Sequence, residues 1–150
     1  MTLLGIDPGP EQSAIVVWDE QRVVHSEIMQ SSAVTEFITE RGLPVACEHL
    51  QCFGMAVGKE VFETAYWIGE IRHACAIHKL PFHRIYRSDE KMHLCQSMRA
   101  KDSNIRQALI DRFGIVGTKK HPGPLFGIAN DLWSALAVAV TCREVNYEKS

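Results

Sequence analysis

Three carboxylates sit where an acid is either unusual or useful. Asp7 ends the apolar run Leu3-Leu4-Gly5-Ile6 and precedes Pro8-Gly9. Alone it reads as a turn residue, because Asp-Pro-Gly is good turn chemistry. Glu48 lies inside Val45-Ala46-Cys47-Glu48-His49-Leu50. A carboxylate among apolar and small residues is rarely buried without a partner, so an Arg, a Lys or a metal ion must face it. Asp131 opens an apolar stretch from Leu132 to Val140, where an acid also favours the helix dipole. Three carboxylates converging on one point would repel each other unless a cation neutralised them. Oxygen ligands without a His or Cys pattern favour Mg²⁺ or Mn²⁺ over zinc. Two such ions about 3.5–4 Å apart activate a water and stabilise the leaving oxygen of a phosphodiester.

The elements that must bring these acids together follow from periodicity. Leu3 to Asp7, Ser13 to Trp18 and Arg22 to Met29 read as three strands of an antiparallel meander, with a turn at Asp19-Glu20-Gln21. Ser31 or Ser32 is placed to cap a helix reaching Glu40, ended by Arg41-Gly42. Pro44 to Leu50 is a fourth strand. Positions 57, 61, 65, 68, 71 and 75 keep helical spacing, which predicts a long helix over 57–78 broken before Pro81. Phe82 to Tyr86 is a fifth strand, and Asp89 to Cys95 a short helix. Asp102 or Ser103 caps a further helix, 114–127 is a Gly/Pro-rich loop, and Asp131 begins the last helix. The order βββαβαβααα predicts an α/β domain over residues 1–150, a mixed five-stranded sheet with its first three strands antiparallel and helices packed on it.

Composition narrows the function classes. The 150 residues are 46% hydrophobic, which excludes a disordered chain. No apolar run of about 18 residues exists to span a membrane, and the N-terminus lacks signal-peptide features, so a cytoplasmic location is expected. Five cysteines with no C-x-x-C pair read as reduced thiols. The net charge of −2 argues against a general nucleic-acid binder, but its distribution does not. Residues 84–120 hold nine Lys/Arg and four Asp/Glu, a local charge of +5, leaving −7 for the rest. Such asymmetry lets one side hold a polyanion while acids elsewhere hold cations.

Leu3-Leu4-Gly5-Ile6-Asp7-Pro8-Gly9 resembles the first-strand motif of RuvC-type Holliday junction resolvases. Ala46-Cys47-Glu48 resembles the strand carrying their second acid. Asp131-Leu132-Trp133-Ser134-Ala135-Leu136-Ala137 resembles their last helix, which usually reads D-x-x-D-A-L-A. The resemblance spans nearly the whole chain in the same order, and the short length and looser motifs look like phage or mobile-element versions. It implies a ribonuclease H-like fold with helices on both faces of the sheet, a homodimer, two Mg²⁺ ions (Mn²⁺ substituting) and paired nicks in branched, four-way DNA. No membrane or small-molecule cofactor enters. The implied catalytic acids are Asp7, Glu48 and Asp131, joined as metal ligands by Ser134. That serine departs from the pattern: its hydroxyl is a weak neutral donor where the family has a second acid.

The resemblance also places phosphate-binding residues between the fifth strand and the last helix. Lys91, Arg99, Lys101 and Arg106 match that stretch, and Arg99 and Lys101 precede a helix N-terminus suited to phosphate. Lys119 and Lys120 lie in the loop before the last helix. Phe53, shortly after Glu48, is placed either to stack on an unpaired base or to pack in the core. Phe62, Tyr66 and Trp67 on the long helix offer a dimer face. Competing readings are a nuclease acting on RNA/DNA hybrids, a non-catalytic junction-binding module, and a nucleotide-binding protein of the actin or sugar-kinase type. The last needs a second domain and phosphate loop for which 150 residues leave no room.

Overall fold

The computed structural model describes residues 1–147. Its elements are β1 (Leu3–Asp7), β2 (Gln12–Trp18), β3 (Val23–Gln30), α1 (Val34–Arg41), β4 (Val45–His49), α2 (Lys59–Ile77), β5 (Phe82–Tyr86), α3 (Arg87–Cys95), α4 (Asp102–Phe113) and α5 (Leu132–Asn146). The order is the one the periodicity predicts. The strands form one sheet in the order β3-β2-β1-β4-β5. β1–β2 and β2–β3 are antiparallel, whereas β1–β4 and β4–β5 are parallel.

Both sheet faces are covered, so the central strands are apolar on both sides. Leu4, Ile6, Ile15, Val17, Val45 and Cys47 meet α1 and α2 on one face. Ala14, Val16 and Trp18 meet α4 and α5 on the other. From Ala135 to Cys142 every residue of α5 is buried, and α5 packs directly over β1. A Cβ added to Gly5 would stand 2.2 Å from the Ala135 carbonyl oxygen and 2.9 Å from the Ala139 Cβ. Glycine in the strand facing alanines in the helix therefore sets how close α5 comes to the sheet.

Four local expectations change. Ser32 does not cap a helix, and neither does Ser31, which lies with it in a 3₁₀ turn, Ser31–Ala33, ahead of α1. Ser31 Oγ donates to the Gly9 carbonyl at 2.7 Å and lies 2.9 Å from Ser13 Oγ, tying down the turn that follows Asp7. The long helix starts at Lys59, after the extended Gly58. Only the later part of its apolar stripe is fully buried, at Ile68, Ile71 and Cys75; Val57 lies outside the helix and is exposed. Neither Asp102 nor Ser103 caps α4. Lys101 is the cap residue, and its N–H donates to Asn104 Oδ1 at 2.8 Å. α3 begins at Arg87 rather than Asp89, and the Tyr86 N–H donates to Asp89 Oδ2 at 3.0 Å.

All five cysteines are free, with Cys47, Cys75 and Cys142 buried. Among the described residues, no helix is long and apolar enough to cross a membrane.

Candidate active site

Strand parity and register bring the first two acids together. In β1, Leu4 and Ile6 face α1 and α2, so Gly5 and Asp7 face α5. In β4, Val45 and Cys47 share that first face, so Ala46 and Glu48 point the other way. The parallel register pairs Gly5 with Ala46 and Ile6 with Cys47. One step further, Asp7 stands beside Glu48 at the carboxyl ends of adjacent strands. Their carboxylates lie within hydrogen-bonding reach of each other.

Asp131 arrives from the opposite wall. Asn130 before it takes a left-handed conformation (φ 49°), which asparagine tolerates better than most residues. The Asp131 carbonyl then accepts the N–H groups of Ser134 and Ala135, starting α5. Its carboxylate is exposed at the rim and still raises the pKa of Asp7. Asp131 and Ser134 line a groove of about 270 Å³ together with Arg87, Asp102, Arg106 and Trp133.

Sequence reasoning missed two residues at the centre. Glu90, on α3, is fully buried, and its carboxylate reaches Glu48. Arg87 forms a 3.0 Å ion pair with Glu90 Oε1 and a second pair with Asp102. The available signal was spacing: Glu90 and Leu94, four residues apart, are the buried positions of α3. Burial and the neighbouring acids together push Asp7 up to about 8. Burial and the adjacent Glu90 do the same to Glu48, against the pull of Arg87. Glu90 also rises to about 8, chiefly through burial.

Among the described residues, no three His, Cys, Asp or Glu side chains stand close enough together to hold a metal ion as they are placed. Their chemistry nevertheless suits a hard divalent cation: every donor is oxygen, negative charge is in excess, and Glu90 Oε2 is buried without a hydrogen-bond partner.

The crowding sets a pH dependence. Between the ordinary carboxylate range, about 4, and about 8, the folded protein holds protons that the unfolded chain has released. Stability must therefore fall as pH rises through that window and level off above it. In EDTA, the melting temperature is expected to be lower at pH 8.5 than at pH 6. Added Mg²⁺ should raise it more at pH 8.5, where no proton competes. Thermal scans at both pH values check this, and a metal-free melting temperature that rises with pH would refute the crowding.

The remaining predicted residues fall in two groups. Lys91 on α3, Arg99 and Lys101 before α4, Arg106 on α4, and Lys119 and Lys120 in the long loop have no carboxylate within 4.0 Å among the described residues. By contrast, Arg87 and Arg112 in the same basic segment are engaged, Arg112 with Glu144 of α5. Arg106 lies over the Trp133 ring at 5.5 Å. Phe53 is 75% exposed, in a wholly exposed loop, which removes the core-packing alternative. On α2, Phe62 and Tyr66 are exposed. Trp67 is not free for an interface, since its indole N–H donates to the Pro10 carbonyl at 2.9 Å.

This mixed sheet with helices on both faces, and acids at the ends of β1 and β4, is the ribonuclease H-like α/β architecture. Within it, the chain has the fold of RuvC. It aligns with Thermus thermophilus RuvC in complex with a Holliday junction substrate at a TM-score of 0.71 and 19% identity, covering 94% of this chain and 92% of that one. A structure of Thermus thermophilus RuvC alone aligns at 0.70 and 18% identity with the same coverage. No family model and no curated protein matches the chain.

Proposed function

We propose that this protein is a structure-selective DNA endonuclease that resolves four-way junctions by metal-assisted phosphodiester hydrolysis, acting as a homodimer. The reading rests on one observation above all: Asp7 and Glu48 stand together on one sheet face, at the ends of parallel neighbours, with carboxylates in excess of cations. The shared fold with a RuvC bound to a Holliday junction supports the substrate class.

In this reading Asp7, Glu48 and Asp131 hold the cations, and Ser134 contributes at most a neutral hydroxyl. Bound divalent ions would lower the pKa of a water and offset charge on the leaving oxygen. Hydrolysis joins the water oxygen to phosphorus and breaks one bridging P–O bond, the leaving sugar oxygen taking up a proton. The six basic side chains Lys91, Arg99, Lys101, Arg106, Lys119 and Lys120 bind phosphates and set the register of the DNA. The exposed Phe53 ring stacks on a base at the crossover. The exposed aromatic side of α2, with Phe62 and Tyr66, forms the dimer contact.

A gel cleavage assay in Mg²⁺ comparing a four-way junction with duplex, single strand and RNA/DNA hybrid tests the reading. Symmetric nicks confined to the junction are expected. Preferential hybrid cutting would indicate a different nuclease, and tight junction binding without cutting would indicate a binding module. Arg99→Ala and Lys101→Ala should each weaken junction binding and reduce its dependence on log[salt] by about one.

A further inference from the structure

The centre has one more carboxylate than the three that the sequence singles out. Glu90 lies on the first turns of α3, wholly buried. Its Oε1 accepts from Arg87 Nη1 at 3.0 Å. Its Oε2 is buried with no hydrogen-bond partner among the described residues, on a carboxylate that reaches Glu48.

An ordinary ion pair with Arg87 does not account for this. A buried structural Arg–Glu pair is favourable when the guanidinium fork takes both carboxylate oxygens. Here the second arm of Arg87 goes to Asp102 instead. One guanidinium thus serves Glu90 and Asp102, while its charge is also felt by Glu48 and Asp7. When Glu48 carries no proton to share with Glu90, that buried carboxylate oxygen is unmatched, which is costly. A divalent cation would supply both the missing charge and the missing partner. From the opposite wall, α5 offers one acid, Asp131, followed one turn later by the neutral Ser134.

We propose that Glu90 is a fourth carboxylate of the metal centre, with Oε2 ligating a divalent cation that Glu48 and Asp7 also hold, while Arg87 fixes Oε1. The proposal rests on the nuclease reading above only in taking the centre to bind metal. Arg87 is then a positioning residue, keeping the Glu90 carboxylate turned toward Glu48.

Isothermal titration of the full chain with Mn²⁺, without DNA, provides the test. Glu90→Gln keeps the side-chain volume and Arg87's acceptor while removing the charge. It should weaken Mn²⁺ binding at least tenfold or lose one equivalent of metal. Unchanged Mn²⁺ stoichiometry and affinity would overturn the proposal and leave Glu90 as a partner of Arg87. If the variant fails to fold, the carbon resonance of the Glu90 carboxyl in the parent protein decides: it must shift on Mg²⁺ addition, and a stationary resonance overturns the assignment. Failure here is separable from failure of the nuclease reading. A parent that cuts junctions while Glu90→Gln binds metal normally refutes only the role of Glu90. A parent that cuts no DNA while Glu90→Gln loses metal refutes only the nuclease reading.

Discussion

Asp7→Asn should reduce cleavage of a four-way junction by about 10³-fold or more while leaving junction binding intact. A cation at the reacting phosphate contributes several kcal/mol of charge stabilisation, and about 4 kcal/mol corresponds to 10³ in rate. Asparagine preserves the shape of the side chain, so the change removes charge and little else. Folding should not suffer. Asp7 is crowded by Glu48 and sensed by Asp131, so removing its charge relieves repulsion in the metal-free protein. Most acid-to-amide changes at buried ion pairs do the opposite, because they strand a cation. Cleavage loss with an equal or higher melting temperature in EDTA at pH 8 therefore distinguishes a metal-holding acid from a structural one. Single-turnover cleavage in Mg²⁺ and gel-shift binding in EDTA measure the two halves. Glu48→Gln and Asp131→Asn should also lose cleavage, and a trio that cuts within tenfold of the parent would sink the assignment.

The sequence reveals the elements of this site more readily than their meeting. Strand periodicity is local, so the boundaries of β1 and the apolar setting of Glu48 can be read directly. The pairing of Gly5 with Ala46 is not local, and it alone puts Asp7 and Glu48 on the same side. Glu90 was hidden for a different reason. Its neighbours Arg87-Ser88-Asp89-Glu90-Lys91 look like a solvated helical face, and only packing of α3 beneath α4 and α5 buries it. The α2 stripe misleads in the reverse direction: its period is helical throughout, yet nothing in the period says which of its positions are buried. Phe53 is similar, since an aromatic residue near a strand end suits core and surface equally until the loop is seen to be exposed.

Gly5→Ala should be strongly destabilising for a single added methyl and should impair cleavage without touching an acid. The new Cβ would lie 2.2 Å from the Ala135 carbonyl oxygen, a backbone atom that no rotamer change can move, and 2.9 Å from Ala139 Cβ. Relief requires α5 to lift from β1. Overpacking of this kind typically costs about 1–3 kcal/mol, and a rigid backbone contact belongs at the upper end. For a chain of this size that amounts to a loss of roughly 6–12 °C in melting temperature. The helix that lifts carries Asp131 at its first turn, while Asp7 stays two residues from the mutated position on the strand. The separation of the two acids must then widen, so Mn²⁺ binding should weaken even at temperatures where the variant is fully folded. Ala139→Gly removes the Cβ contact but not the carbonyl contact, so it should rescue Gly5→Ala only slightly. A Gly5→Ala protein with parental melting temperature and Mn²⁺ affinity would show that α5 does not set the geometry of the acidic centre.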